Sequence, residues 1–506
     1  MPTRPAIAPS DRLRAEDLRP LPHPLAASPV DPLDFPGYAE RLRALDAADP
    51  HVDESVSVGL AELGGLEVVV ALGHFRFLGG SMGHAHGERV AAAMAVAREQ
   101  RLPFVAITAT GGARMQEGMF ALVQMSRAAE GIRRLREAGI PVLSWFTNPT
   151  TGGVHASYGA LADVIIADAA AAVGFAGPRV VEAVTGQRVG PDSHTAEAAF
   201  AAGLVDEVLE PETALARLTR WVGLVHPARR DGPLPATEPV EEPVTRLEAW
   251  EAVSRARWPH RPSARDLLDT AFDEHLELHG DRAGGHDDAV VIAVARLGAR
   301  TVVVAGMDRR CARPMPSEPR GQPGPAGYRK VRRAAELARR WEVPLVTLID
   351  TPGADPSAVS DRGGLAVGIA EAFVATLSVT APTVAVVTGE GGSGGALALG
   401  CTDRLLLQDD AVFEVIAPEG AASILHRDTS RAREVAALLR PTAGELRELG
   451  IVDRVLPGPT TADPATAAAA LRAGLVATLR ELDAEPDRLA RRRARYGPGA
   501  VLDPAQ

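Results

Sequence analysis

Two cysteines occur in 506 residues, Cys311 and Cys401, and they lie far apart. A disulfide-stapled scaffold and a cysteine zinc site are both excluded by so few thiols, and a cytoplasmic location is expected. Lysine is scarcer still: Lys330 is the only one, against abundant arginine, so any chemistry that needs a primary amine must use it. No run of about 18 apolar residues is present, so no membrane span is predicted. The first 20 residues are broken by prolines and charges and lack the apolar core of a signal peptide. Basic residues are outnumbered 54 to 65, giving a formal net charge of −11, which argues against a nucleic-acid partner. What the chain does have is 46% hydrophobic content and a length beyond one core, so two packed domains are expected.

An internal repeat divides the chain. PFVAITATGGARM from Pro103 matches PLVTLIDTPGADP from Pro344, an offset of 241. PVLSWFTNPTTGGVHASYGALADVIIAD from Pro141 matches PTVAVVTGEGGSGGALALGCTDRLLLQD from Pro382 and places Gly152-Gly153 against Gly394-Gly395 to within a residue. GFAGPRV and EVIAPEG, then AAGLVDEVL and ELGIVDRVL, continue the register in order. Between the copies, residues 229–244 are rich in proline and acid and read as a linker. In each copy short apolar strands (FVAIT, VLSWF, DVIIA; LVTLI, TVAVV, DRLLL) precede helical stretches. Strands apolar throughout belong to buried α/β sheets, with ligands near the strand C-termini.

Glycine turns fall at those strand ends. The chain leaves VLSWF through Gly152-Gly153 and leaves TVAVV through five glycines, entering a helix each time. Glycine lets backbone N–H groups approach a ligand, and a helix start adds positive potential. Such a turn binds phosphate or forms an oxyanion hole, or it is a tight corner with no ligand; its recurrence in both copies favours a pair of anion sites. A third turn, residues 109–118, offers Gly111 and Gly112 as backbone donors. Arg114, Gln116 and Glu117 there bind a ligand or cross-link helix ends, with a structural role favoured for Glu117. The phosphate-loop motif fails, because Gly-Lys-Ser/Thr follows neither turn. A serine hydrolase is set aside because GGSGG around Ser393 is read as lacking the G-x-S-x-G spacing and its acid and histidine partners. The histidines His74, His84, His86 and His155 show no metal-ligand spacing beyond His84/His86.

The first copy resembles the beta subunit of bacterial acetyl-CoA carboxylase carboxyltransferase through DPLDFPGYAERLRAL, FRFLGGSMG, GGARMQEG, TTGGVHASYGALAD and GFAGPRVVE. The second resembles the alpha subunit through HRPSARDLLD, ELHGDRA, PGPAGYRKVRRAAELA, LIDTPGADP, GEGGSGGALALG and APEGAASIL. The resemblance implies an α/β fold of two tandem crotonase-type (ClpP/crotonase) domains built from repeated ββα units. The boundaries expected are a disordered or extended segment 1–30, a beta-like domain 31–228, a linker 229–250, an alpha-like domain 251–460 and a helical tail 461–506.

It also implies the reaction: CO2 moves from carboxybiotin to acetyl-CoA, giving malonyl-CoA, through an enolate held in backbone oxyanion holes. By resemblance Gly152 and Gly153 serve the acyl-CoA thioester, and Gly394, Gly395 and Ala396 serve biotin. Gly111, Gly112, Arg114, Arg329 and Lys330 are expected to bind substrate; the cationic run Arg329, Lys330, Arg332 and Arg333 either reaches CoA phosphates or forms a solvated helix face. The family's beta subunit begins with a four-cysteine zinc ribbon; residues 1–50 contain no cysteine, so zinc is not expected. Residues 308–324 depart from the family's basic loop, which bears on acyl preference. No biotinylation sequence and no ATP-binding carboxylase domain is found, so a separate biotin carboxyl carrier protein and a separate biotin carboxylase are expected partners. The family builds its site from a beta-like domain of one protomer and an alpha-like domain of another, which implies a homodimer or larger. The rival readings are a biotin-dependent transcarboxylase or decarboxylase, an inactive assembly scaffold, and a crotonase-type hydratase. Intact glycine turns oppose the scaffold, and the lack of a clear carboxylate pair opposes the hydratase.

Overall fold

The computed structural model describes residues 13–22, 28–48, 52–188, 190, 193–237, 240, 242–243, 246–309 and 321–497. The expected extended segment 1–30 therefore falls partly outside the described residues, as does most of the divergent loop 308–324, including Cys311. The chain divides into two compact units. The first comprises Met1–Arg229 with Arg282–Gly285, and the second Arg230–Asp281 with His286–Gln506.

In the first unit, β1 (Val56–Leu63) and β2 (Leu66–Gly73) form an antiparallel hairpin. Parallel strands follow: β3 (Phe104–Thr110), β4 (Val142–Thr151), β5 (Val164–Asp168), the short β6 (Val173–Gly174) and β7 (Glu207–Leu209). The sheet order is β1-β2-β3-β4-β5-β7, with β6 paired to the far end of β4. The crossovers are helical, the longest being His84–Gln100 and Gln124–Glu137. Because helices cover the parallel part, Val105, Ala106, Leu143 and Ile165 are all buried, which is why these strands are apolar on both faces.

The second unit repeats this plan. It starts with an extra strand, β8 (Glu274–Leu278), then the hairpin β9 (Val290–Leu297) and β10 (Arg300–Met307). The strands β11 (Leu345–Thr351), β12 (Thr383–Gly392), β13 (Arg404–Gln408), β14 (Val412–Glu414) and β15 (Arg454–Leu456) follow in parallel. Its order is β15-β13-β12-β11-β10-β9-β8, with β14 on the end of β12. Even an irregularity is copied. The register of β3 on β4 shifts between Thr108 and Thr110, and that of β11 on β12 shifts between Ile349 and Thr351, 241 residues later. Pairing resumes beyond each shift, at Thr110 with Thr150 and at Thr351 with Gly391.

Two expected boundaries look different in the fold. The described start of the linker is pinned to the second sheet: Thr301 and Ala299 donate backbone hydrogen bonds to Arg230 and Pro233. Helix Ala249–Ala256 then begins inside the stretch assigned to the linker. The tail is helical over Pro464–Asp483 and Arg488–Tyr496, and Leu471, Leu475, Leu479 and Leu482 of the first of these complete the second core. Among the described residues no helix is long and apolar enough to cross a membrane.

Candidate active site: two matched glycine turns

In the first unit the turn follows β4. Gly152 has φ +66, and a Cβ built on it lies 2.3 Å from Cα of Gly112, so a side chain has no room. Gly112 itself has φ +125. The structure thus brings Gly111 and Gly112 against the Gly152-Gly153 turn, but it engages most of their N–H groups internally. Gly111 donates to the Gly79 carbonyl at 2.8 Å, Gly112 to Thr110 Oγ1 at 3.0 Å, and Gly152 to the Phe175 carbonyl at 3.0 Å. Gly111 and Gly112 are therefore not the open donors expected from the sequence; they brace the turn. Gly153 sits second in the short helix Gly152–Val154, where an N–H has no acceptor within the helix.

In the second unit β12 leads directly into helix Ser393–Gly400. The residue with left-handed backbone is Ser393, φ +65, and it stands 241 residues after Gly152. Gly353, φ +138, stands 241 after Gly112 and donates to Thr351 Oγ1 at 3.1 Å, as Gly112 does to Thr110. The matching of the turns is therefore Gly152-Gly153 with Ser393-Gly394, one residue off the glycine-to-glycine pairing. Contrary to the expectation from sequence, Gly391, Ser393 and Gly395 do satisfy G-x-S-x-G, and Ser393 does sit on a strand-to-helix elbow. No histidine or acid among the described residues hydrogen-bonds Ser393, so the nucleophile's partners are lacking.

Gly394 has open space where its Cβ would be. Gly395 and Ala396 turn inward and are buried. A Cβ on Gly395 would meet Tyr328 Oη at 2.3 Å. Tyr328 is fully buried, its hydroxyl has no hydrogen-bond partner, and burial pushes the phenol well above its usual pKa. Glu414, the register partner of Gly392, is also buried, and its Oε2 lacks a partner. Burial pushes its carboxyl up to about 7, against the weaker pull of Arg257.

The expected cations are placed elsewhere. Lys330 is 1% exposed and donates to the carbonyls of Asp287 and Val290. Burial brings its amine down to about 8. It is withheld from any phosphate, because helix Pro325–Trp341 turns that face onto the sheet. Arg329 pairs with Asp281 at 2.7 Å and Arg332 with Glu371 at 2.7 Å. Arg114 is 0% exposed. Its guanidinium holds Glu54 and Glu117, the latter at 3.0 Å, and Tyr38 Oη donates to Glu117 at 2.6 Å. Burial would raise the Glu54 carboxyl, yet Arg114 holds it below the usual range. Arg114 is thus a buried pillar under the 109–118 turn, with its guanidinium taken up by carboxylates, and Glu117 shares that structural role.

Ser393 is set aside as a nucleophile on the sequence alone, and Tyr328 and Glu414 are not among the residues it singles out. Ser393 carried a signal, the glycine on either side at two-residue spacing. Tyr328 and Glu414 carried none, because only packing sets their hydroxyl and carboxyl beside the second turn.

The family model described as "Acetyl co-enzyme A carboxylase carboxyltransferase-like" matches residues 236–497. Acetyl-coenzyme A carboxylase carboxyl transferase subunits beta/alpha of Salinispora tropica is 42% identical over 486 residues, covering 93% of this chain and 86% of the relative. The protein of the same name from Salinispora arenicola is 42% identical over 472 residues, covering 90% and 83%. Among solved structures, transcarboxylase 12S with hydrolysed methylmalonyl-coenzyme A bound superposes with a TM-score of 0.70 at 25% identity, over 85% of this chain and 82% of that one. That likeness identifies the two ββα-type units as crotonase-type carboxyltransferase domains. With both units matched in order by relatives of the same two-part name, the chain belongs to the acetyl-CoA carboxylase carboxyltransferase family and carries its beta and alpha parts in one polypeptide.

Proposed function

We propose that the chain is a carboxyltransferase that moves CO2 from carboxybiotin, carried on a separate protein, to acetyl-CoA to give malonyl-CoA. The observation that carries this reading is the paired turn: a left-handed residue at the end of β4 and again at the end of β12, each opening a helix. Transfer of this kind develops charge on two oxygens, that of the thioester enolate and that of the biotin urea. Preorganised N–H donors lower the energy of such charge without any reorganisation during reaction.

The N–H of Gly153 serves the thioester oxygen, with Gly152, Gly111 and Gly112 holding its position. The helix start at Gly394, Gly395 and Ala396 serves the ureido oxygen. The fit to biotin rests on the open space over Gly394 and on the unpartnered Tyr328 hydroxyl beneath Gly395. Carboxybiotin, when bound, supplies CO2 and a basic nitrogen, so the chain itself need not furnish a proton acceptor. Arg329, paired with Asp281, and Arg332, paired with Glu371, are the cations of the 329–333 run still partly open to a CoA phosphate.

A biotin carboxyl carrier protein and a biotin carboxylase complete the cycle in this reading, in the cytoplasm and without zinc. The active form is a homodimer or larger, a reading supported by exposed apolar side chains at Met115, Met119 and Phe120 in the first unit and Val367 and Val374 in the second. A second reading, transfer to or from another acyl-CoA, draws support from the likeness to transcarboxylase 12S.

The test is a purified assay with malonyl-CoA and free biotin, following acetyl-CoA release; turnover is expected. No turnover with any acyl-CoA, using free biotin or a biotin carrier, refutes the reading. Full activity of a monomer at nanomolar concentration refutes the oligomer.

A further inference from the structure

The two units place different residues at one and the same backbone position. Gly152 adopts φ +66 and Ser393 adopts φ +65. Left-handed backbone is free of cost for glycine and strained for any residue with a Cβ, so a side chain kept there calls for a reason. In the first unit glycine is compulsory, because Cα of Gly112 lies 2.3 Å from where a Cβ would be. In the second, Ser393 is exposed and carries its side chain freely.

Local structure does not supply the reason. The Ser393 hydroxyl makes no hydrogen bond with any described residue, and helix Ser393–Gly400 has no side-chain cap. A serine that merely shaped the corner would be better replaced by the glycine its counterpart has. A second, separate observation points to a ligand at this helix start. Tyr328 Oη is buried without a partner, and it is the nearest atom to a Cβ placed on Gly395. A buried hydroxyl left unpaired is costly unless something polar arrives to meet it. Next to Ser393 in the chain, Gly394 faces open space.

We propose that Ser393 Oγ is a ligand-contacting donor to the anion held at this turn, the ureido oxygen of biotin in the functional reading above, on which the inference rests. The hydroxyl adds a side-chain donor to the backbone donors of Gly394 and Gly395, and it does so only on the biotin side. The acyl-CoA side has no counterpart, because Gly152 cannot bear one.

The test compares the full-length chain with Ser393→Ala and Ser393→Gly, using malonyl-CoA as donor and free biotin as acceptor. Both variants are expected to lose at least tenfold in kcat/KM for biotin, with KM for malonyl-CoA changed less than twofold. Ser393→Gly is expected to melt above the wild type, because the left-handed strain is relieved. Unchanged or improved kcat/KM for biotin in both variants overturns the inference. If the wild type releases no acetyl-CoA, the functional reading fails by itself. Titration with biotin then decides the inference: binding at least tenfold weaker in Ser393→Ala upholds it, and equal dissociation constants overturn it.

Discussion

The two turns share a backbone and differ in everything packed around it. In the first unit the turn is closed from one side by Gly112 and braced from below by Arg114, Glu54 and Glu117. In the second, the position equivalent to Arg114 is Asp355, which bonds the nearby Ser357 and Ser360 and is not fully buried. The position equivalent to Gly174 is Glu414, a buried carboxyl with a free oxygen. Duplication preserved the hydrogen bonds that make the corner, in which Gly112 N–H donates to Thr110 Oγ1 and Gly353 N–H to Thr351 Oγ1. It released the side chains around the corner. Backbone geometry is therefore what the two copies keep in common, and side-chain chemistry is where they differ.

The largest test of that contrast is Arg114→Met. It leaves Glu54 and Glu117 buried without their cation, and stability in urea is expected to fall by about 3–5 kcal/mol. Asp355→Asn, at the matching place, is expected to cost no more than about 1 kcal/mol, because Asp355 is only partly buried and an amide oxygen still accepts from Ser357 and Ser360. Equal losses would mean that the second turn has a hidden brace.

Next comes the glycine pair. Gly152→Ala forces a Cβ against Gly112 at a left-handed φ and is expected to cost about 2–4 kcal/mol in urea unfolding. Gly394→Ala meets nothing and lies in a helix, so it is expected to be neutral or to stabilise by up to about 1 kcal/mol. Its activity with biotin should still fall, since the new methyl enters the open space.

The smallest effect concerns Glu414. Its folded carboxyl titrates near 7 against an ordinary value of 4.5. The folded state therefore holds the proton more tightly, and stability from this group is fully present below pH 4.5 and is lost as pH rises through 7. Glu414→Gln is expected to match the wild type at pH 4.5 and to exceed it by about 1–3 kcal/mol at pH 8, as followed by urea melts across pH. A gap of the opposite sign would place a cation beside Glu414 that outweighs its burial.

The six strands anticipated from apolar runs are all present as β3, β4, β5, β11, β12 and β13, although β5 and β13 each begin one residue later than the run, after Asp163 and Asp403. They were legible because parallel strands covered on both faces must be apolar at every position. The strand-end turns were legible from their glycines for a similar reason: few residues tolerate that backbone. Which glycine matched which was not, because Ser393 took a left-handed position that composition assigns to glycine. The fate of individual donors was hidden as well. Gly111, Gly112 and Gly152 look open in sequence, yet each N–H finds an acceptor on a segment distant in sequence, at Gly79 or Phe175, or on the Thr110 hydroxyl.

The chain's order of apolar and glycine-rich segments, by itself, determined the duplication, the α/β class and the place of the turns at strand ends. Those depend on local backbone preference and on which faces must leave water, and both are written in residue type. Only the tertiary structure decided that Lys330 is folded inward onto two carbonyls, that Arg114 braces rather than binds, and that Tyr328 and Ser393 bring hydroxyls to one helix start. Burial and hydrogen-bond partnership arise from contacts between residues far apart in the chain, and no spacing along the sequence encodes them.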